Sequence, residues 1–362
     1  MPKGVLVQVQ STAPTLLKLL KLPPQPAPSL TAQLNQVELI SGFGSAFAHK
    51  RGMSDPRKRF PRGSCAFSDC RGHFKHPEFS PNSKQLIRKG HFYRASDSRW
   101  IQRFKCRLCQ RGFSSATRSD CYQQKKRHLN GAIAKLLTSA VSERRTARLL
   151  GVKWETVSRK AAWLGLRAKA LNQEATRRHI HKLGPIHEVQ FDEMESFEHS
   201  KCKPLSIPLL IEPKSRAILG LRVASMPAKG PLARIAYRKY GPREDLRSEA
   251  ARALWGDAKT FLASNPKVTT DQNPRYPAWI RTQFPEAKHT ALKGRRGCIV
   301  GFGELKSGGF DPLFSLNHTA AMIRANINRL ARKTWCTTKL AHKLELRLEL
   351  YAWSHNQAVG WS

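Results

Sequence analysis

The chain has 362 residues, enough for two or three domains that each bury a core. It carries 64 Lys and Arg against 25 Asp and Glu, a formal net charge of +39, which exceeds what solubility needs and calls for a polyanionic partner, either nucleic acid or an anionic membrane surface. There is no run of about 18 apolar residues to span a bilayer, and the most hydrophobic early stretch, Leu16 to Leu22, is broken by lysines and closed by Pro23-Pro24, so membrane insertion and secretion both drop out.

The charge is uneven. Residues 51–182 hold 32 basic and 8 acidic side chains, a net of +24, whereas residues 184–362 hold 28 and 16, a net of +12. The first region is therefore the better polyanion binder, and the more balanced second region the better candidate for a compact catalytic core. Eight cysteines without a signal peptide point to a reducing cytoplasm, where close pairs read as metal ligands before disulfides.

In chain order, residues 1–55 are rich in Pro, Ser, Gln and Ala, lack a sustained period, and read as a disordered or low-complexity segment. Either they form a flexible arm or the natural start is Met53. Residues 56–125 read as a zinc ribbon. Cys65-x4-Cys70 and Cys106-x2-Cys109 are two close thiolate pairs, the arrangement that tetrahedral Zn²⁺ takes from two knuckles. Gly112-Phe113 supplies a packed aromatic after the second pair. His73, His76 and His91 read as surface or phosphate-contacting groups, and Cys121, Cys202, Cys298 and Cys336, lacking close partners, as reduced cysteines.

Residues 126–183 read as a helix-turn-helix and a polar linker near Ala170 to Gly184. In SERRTARLLGVKWETVSRKAAWL, Ala147, Gly151 and Val157 supply the small residue, the turn and the β-branched core contact that such a motif needs. Lys153 to Leu164 becomes the recognition helix, with Trp154, Glu155, Ser158 and Arg159 facing the groove, Arg144, Arg145 and Lys160 near phosphates, and Lys153 among the DNA-binding residues.

Residues 184–362 switch to a strand pattern. Strands are expected at Glu188–Met194, at Leu205–Glu212 with Pro208 marking an edge or bulge, and at Ala217–Met226. A helix follows over Glu244–Ala263, then short strands at Lys267–Thr270 and Ala287–Leu292, and a helix through Leu316, Ala320, Ile323, Ile327 and Leu330. Asp192 falls on the first strand, in FDEMES, and Asp271 at the end of a later one, in TTDQNPRYP; two such carboxylates suit hard divalent cations.

Together with SDSRWIQRFKCRLCQRGFS and LNHTAAMIRANINRLARKTWCTTK, these pieces give the chain a resemblance, from about Gly63 to the C-terminus, to insertion-sequence DDE transposases that begin with a zinc ribbon and a helix-turn-helix. The resemblance implies a multidomain protein ending in an α/β ribonuclease-H-like domain with a mixed sheet, on which the strands of Asp192 and Asp271 are neighbours. It implies a third metal ligand on a helix and a basic residue seven positions on that contacts the DNA end. Here the helix offers Asn317 where the family has an acid, and Arg324 follows it. An amide oxygen can ligate Mg²⁺ without adding charge, so Asn317 is taken as the third ligand, with Glu304 in GFGELKSGGF as the alternative.

The implied activity is Mg²⁺- or Mn²⁺-dependent cleavage of element ends and their transfer into target DNA, with no covalent protein intermediate. The implied partners are double-stranded DNA and a second copy of the chain, in the bacterial cytoplasm at the nucleoid. The alternatives are a DNA-binding protein that has lost catalysis and a metal-dependent nuclease of the same fold.

Overall fold

A computed structural model describes residues 63–80, 84–95, 99–293, 311–331 and 335–361. The expectations for residues 1–55, for Cys298 and for Glu304 lie outside the described residues. No described helix is long and apolar enough to cross a membrane.

The first part is a three-stranded antiparallel sheet of β1 (Leu86–Arg94), β2 (Arg99–Cys106) and β3 (Gly112–Ser114). It is too small to bury much apolar surface, and its core is Cys65, Cys70, Cys106 and Phe113 with Phe67 and Phe104 against them. Phe113 lies on the stacked ring of Phe104, 5.6 Å between centroids, as the Gly112-Phe113 pair led one to expect.

Three helices follow, α1 (Asn130–Leu137), α2 (Glu143–Leu149) and α3 (Trp154–Leu183). Ser142 starts α2 because its Oγ accepts the Arg145 N–H at 3.3 Å, satisfying one of the open donors of the first turn. Gly151 closes the α2–α3 turn at φ +60, a left-handed conformation that favours glycine. Ala147 and Val157 are buried between the helices, as the motif requires.

The expected polar linker is not one. Helix α3 runs unbroken for 30 residues, about 45 Å at 1.5 Å per residue, and stops only at Gly184, with φ +82. Its polar residues mislead because one stripe, Leu164, Ala168, Leu171 and Ala175, is buried in the same core as Val189 and Phe191 of the sheet. The boundary expected near residue 183 is thus no break in packing.

The large sheet has the order β6 (Ile218–Leu221), β5 (Pro204–Ile211), β4 (Ile186–Phe197), β8 (Leu262–Asp271), β9 (Lys288–Leu292), with β7 (Ala224–Ser225) also on β5. Strands β4, β5 and β6 are antiparallel; β4, β8 and β9 are parallel. Pro208 lies inside β5, yet its neighbour on one side breaks between β6 and β7 at Arg222-Val223, which removes the demand for a ladder donor there. The strand expected over Ala217–Met226 is this broken pair.

One sheet face packs Val189, Phe191 and Val268 against α5 (Arg247–Ala258) and α6 (Tyr276–Gln283). The other packs Met194, Ile207 and Leu209 against α7 (Phe314–Asn326) and α8 (Ala341–Ala358). The helix expected over Glu244–Ala263 is shorter than that, since Leu262 and Ala263 already belong to β8. Helices α4 (Leu232–Tyr240) and α8 were not anticipated. Helix α8 crosses α3 so closely that a Cβ on Gly165 would lie 2.4 Å from the Leu346 carbonyl oxygen, and only glycine fits without a shift.

Candidate functional site

The ribbon brings the four predicted thiols together. The sulfurs of Cys65, Cys70, Cys106 and Cys109 all lie within 4.8 Å of one another, close enough to share one metal ion such as zinc. Two local turns achieve this. Cys65 N–H donates to the Gly72 carbonyl at 2.7 Å and Gly72 N–H to the Cys70 sulfur at 3.3 Å, while Cys106 N–H donates to the Arg111 carbonyl at 3.0 Å. Burial pushes the Cys65 thiol up. Cys109 is drawn down to about 7, because hydrogen bonds from Arg111 and the neighbouring thiols outweigh the opposing burial. His73 is not at the surface as expected; it is buried, and its Nδ1 accepts the Lys75 N–H at 3.2 Å.

At the large sheet, Phe191 pairs with Thr270 across the parallel β4–β8 ladder, so Asp192 and Asp271 follow one position on, side by side on one face. Burial pushes the Asp192 carboxyl up to about 6. The nearby Asp271 charge adds to the rise, against hydrogen bonds from Glu193 N–H and the Tyr276 hydroxyl. Tyr276 Oη donates to Asp192 Oδ1 at 3.0 Å, and burial with the neighbouring carboxylates keeps that phenol protonated. Asp271 Oδ1 accepts Asn273 N–H at 3.0 Å. A cavity of about 550 Å³ opens beside Asp271, lined by Lys229, Arg247 and Arg275. Asp245 braces the last two, accepting Arg247 at 2.6 Å and Arg275 at 3.2 Å.

Helix α7 is tied to this strand by Gln190, whose amide donates to the Pro312 carbonyl at 2.9 Å and accepts Leu316 N–H at 3.1 Å. Asn317 is exposed on the first turns of α7, and its Nδ2 donates to Asp311 Oδ2 at 2.8 Å. Arg324 approaches the other part of β4, with Nη2 3.5 Å from the Glu195 carbonyl oxygen. Glu193 accepts the Ser206 hydroxyl, and Glu195 accepts Lys229, which also lines the cavity beside Asp271. Among the described residues, the four cysteines are the one group of three or more His, Cys, Asp and Glu side chains close enough to share a metal. Among the described residues, Asp192 and Asp271 therefore stand as a pair without a third acid.

The exposed side of α2 and α3 carries Arg144, Arg145, Lys153, Trp154 (49% exposed), Glu155 and Arg159, with Ser158 half-buried. Lys160 departs from its expected phosphate role. It is buried, and its Nζ donates to Asn130 Oδ1 at 2.7 Å, a link between α3 and the start of α1; burial draws its pKa down. Helix α2 is fastened at its N-terminal end, where Glu143 Oε1 accepts both Arg329 and Arg347 at 2.7 Å. Tyr276, Asp311 and Gln190 were not singled out by the sequence, because each acts through a partner more than 80 residues away or through a turn that has no spacing rule.

No protein-family model matches the chain, and no curated protein matches it.

Proposed function

We propose that the protein is a transposase of the DDE type, which holds the ends of an insertion element through its ribbon and helix-turn-helix and cleaves and joins DNA on a ribonuclease-H-like sheet. The observation that carries this reading is the pairing of Asp192 with Asp271 on adjacent parallel strands, the neighbour relation that such a sheet requires.

The donor set suits a hard cation. Two carboxylates stand together, and burial has raised one of them, so a divalent ion there would relieve the cost of its charge. Mg²⁺ or Mn²⁺ held by Asp192 and Asp271 would supply the charge that an in-line displacement at phosphorus needs. Tyr276 fixes the rotamer of Asp192, and Gln190 fixes the start of α7 relative to the same strand. Asn317 is the proposed third ligand: Asp311 occupies its amide nitrogen and so leaves Oδ1 as the donor atom. Lys229 and Arg275 would flank a phosphate beside Asp271.

The duplex would be read by Trp154, Ser158 and Arg159, with Arg144, Arg145 and Lys153 on the phosphates and Arg324 near the cut end. In support, this side of α2 and α3 is exposed and basic, while its opposite side is buried. The test is joining of labelled oligonucleotide ends to a supercoiled plasmid with Mg²⁺. The protein should join them and Asp192→Asn should not, while still binding the ends. Cleavage without joining would make it a nuclease, and end binding without either would make it a DNA-binding protein that has lost catalysis.

A further inference from the structure

A groove on the ribbon is used by neither the thiols nor the carboxylate pair. It encloses about 720 Å³ and is lined by five cations, Lys89, Arg94, Arg103, Lys105 and Arg127, and among the described residues by no Asp or Glu. The like charges of Lys89, Arg103 and Lys105 around one concavity repel one another, and an anion threading between them relieves that repulsion. The same groove is lined by the rings of Phe92 and Tyr122. The Arg103 guanidinium lies over Phe92, 5.1 Å from its centroid. Tyr122 is 48% exposed, and it is held at the surface by its own backbone. Its N–H donates to the Ser119 carbonyl at 2.8 Å, and Gln123 after it takes a left-handed turn, φ 62.

A cationic groove alone would fit any phosphate backbone. The rings narrow the choice, because a base inside a duplex has both faces covered by its neighbours, and an aromatic side chain can stack only on a base that has left the helix. A sheet surface that offers phosphate contacts beside an exposed ring therefore matches an unpaired strand better than a duplex. The exposed side of α2 and α3 is a separate surface on separate elements.

We propose that this ribbon groove binds an unpaired DNA strand, with phosphates on Lys89, Arg103 and Lys105 and a base stacked on Tyr122. The choice of DNA over RNA rests on the proposed function; the strand binding itself does not depend on the acidic pair.

The experiment measures binding of labelled oligo(dT) and oligo(rU) of about 12 nucleotides, within the usual site size, and of a duplex, to the zinc-loaded full chain by fluorescence anisotropy. Tyr122→Ala should weaken oligo(dT) binding by about five-fold or more, Tyr122→Phe should restore it, and duplex affinity should change by less than about two-fold. Replacing Arg103 and Lys105 together by Ala should lower the oligo(dT) salt slope by about 1.4. Unchanged zinc content shows that the ribbon is intact in each variant. Asp192→Asn should leave oligo(dT) binding as it was, which keeps this result apart from failure of the cleavage reading. Equal losses for duplex and single strand with Tyr122→Ala, or no loss with either, would overturn the proposal, and tighter binding of oligo(rU) would overturn its assignment to DNA.

Discussion

Replacing Glu143 by Ala tests how firmly α2 and α3 are joined to the sheet. Glu143 begins α2, is 14% exposed, and accepts Arg329 and Arg347 through one carboxylate oxygen, each at 2.7 Å. Arg347 is 7% exposed on α8, and burial draws its pKa down to about 10, opposed by Glu143 and helped by the Arg329 charge. Removing the carboxylate leaves that guanidinium buried without its counter-charge, a change that costs about 3–5 kcal/mol. The backbone bond from Ala140 N–H to the Asn326 carbonyl at 2.8 Å crosses the same junction and is too small to compensate. The measurement is urea unfolding of the wild type, Glu143→Ala, Arg347→Met and the double variant. The double variant should recover much of the loss, since Met fills a similar volume without charge. A loss below about 1 kcal/mol, or simple additivity, would show that the pair is not buried and coupled as described.

Other expectations follow from the same geometry. Protein purified without chelators should contain one zinc per chain, and Cys65→Ser or Cys106→Ser should abolish it with little effect on far-ultraviolet helix content, because the cysteine core is separate from the two sheet cores. Arg159→Ala should weaken specific end binding more than non-specific binding; Lys160→Ala should instead lower the unfolding midpoint with an unchanged salt slope, since its amine faces Asn130 and not solvent. Asp192 has a folded pKa of about 6, above the unfolded carboxylate value, so its protonated form stabilises the metal-free protein at low pH. That contribution should fade as pH rises through about 6, and Asp192→Asn should flatten this part of the stability–pH curve. Asn317→Ala should suppress Mg²⁺-dependent cleavage and spare end binding, whereas Asn317→Asp should retain activity. A tolerated Asn317→Ala with severe loss for Glu304→Gln would move the third ligand to Glu304.

What the sequence determined by itself rests on short-range rules. Thiol spacing at Cys65, Cys70, Cys106 and Cys109 is set by knuckle geometry, and the turn at Gly151 by a local left-handed conformation, so both were legible without a fold. Alternation around Val189 and Phe191 in β4 placed Asp192 on its strand, and the short strand expected at Lys267–Thr270 placed Asp271 at the end of another. That the two carboxylates are neighbours followed in the sequence only from a family resemblance; in the structure it follows from the parallel β4–β8 register. Tertiary packing decided the rest. Residues 343–351 read KLELRLELY, a period-two pattern natural to a strand, yet they form α8, because the helix is covered on two sides and contributes to both cores. The polar positions are tolerated inside because Arg347 finds Glu143 and Glu349 finds the Asn172 amide at 3.0 Å. Lys160 follows the same logic: a lysine on a basic helix reads as a phosphate contact until the fold supplies Asn130. Burial of a charged side chain depends on a partner from a distant part of the chain, and local spacing holds no record of that partner.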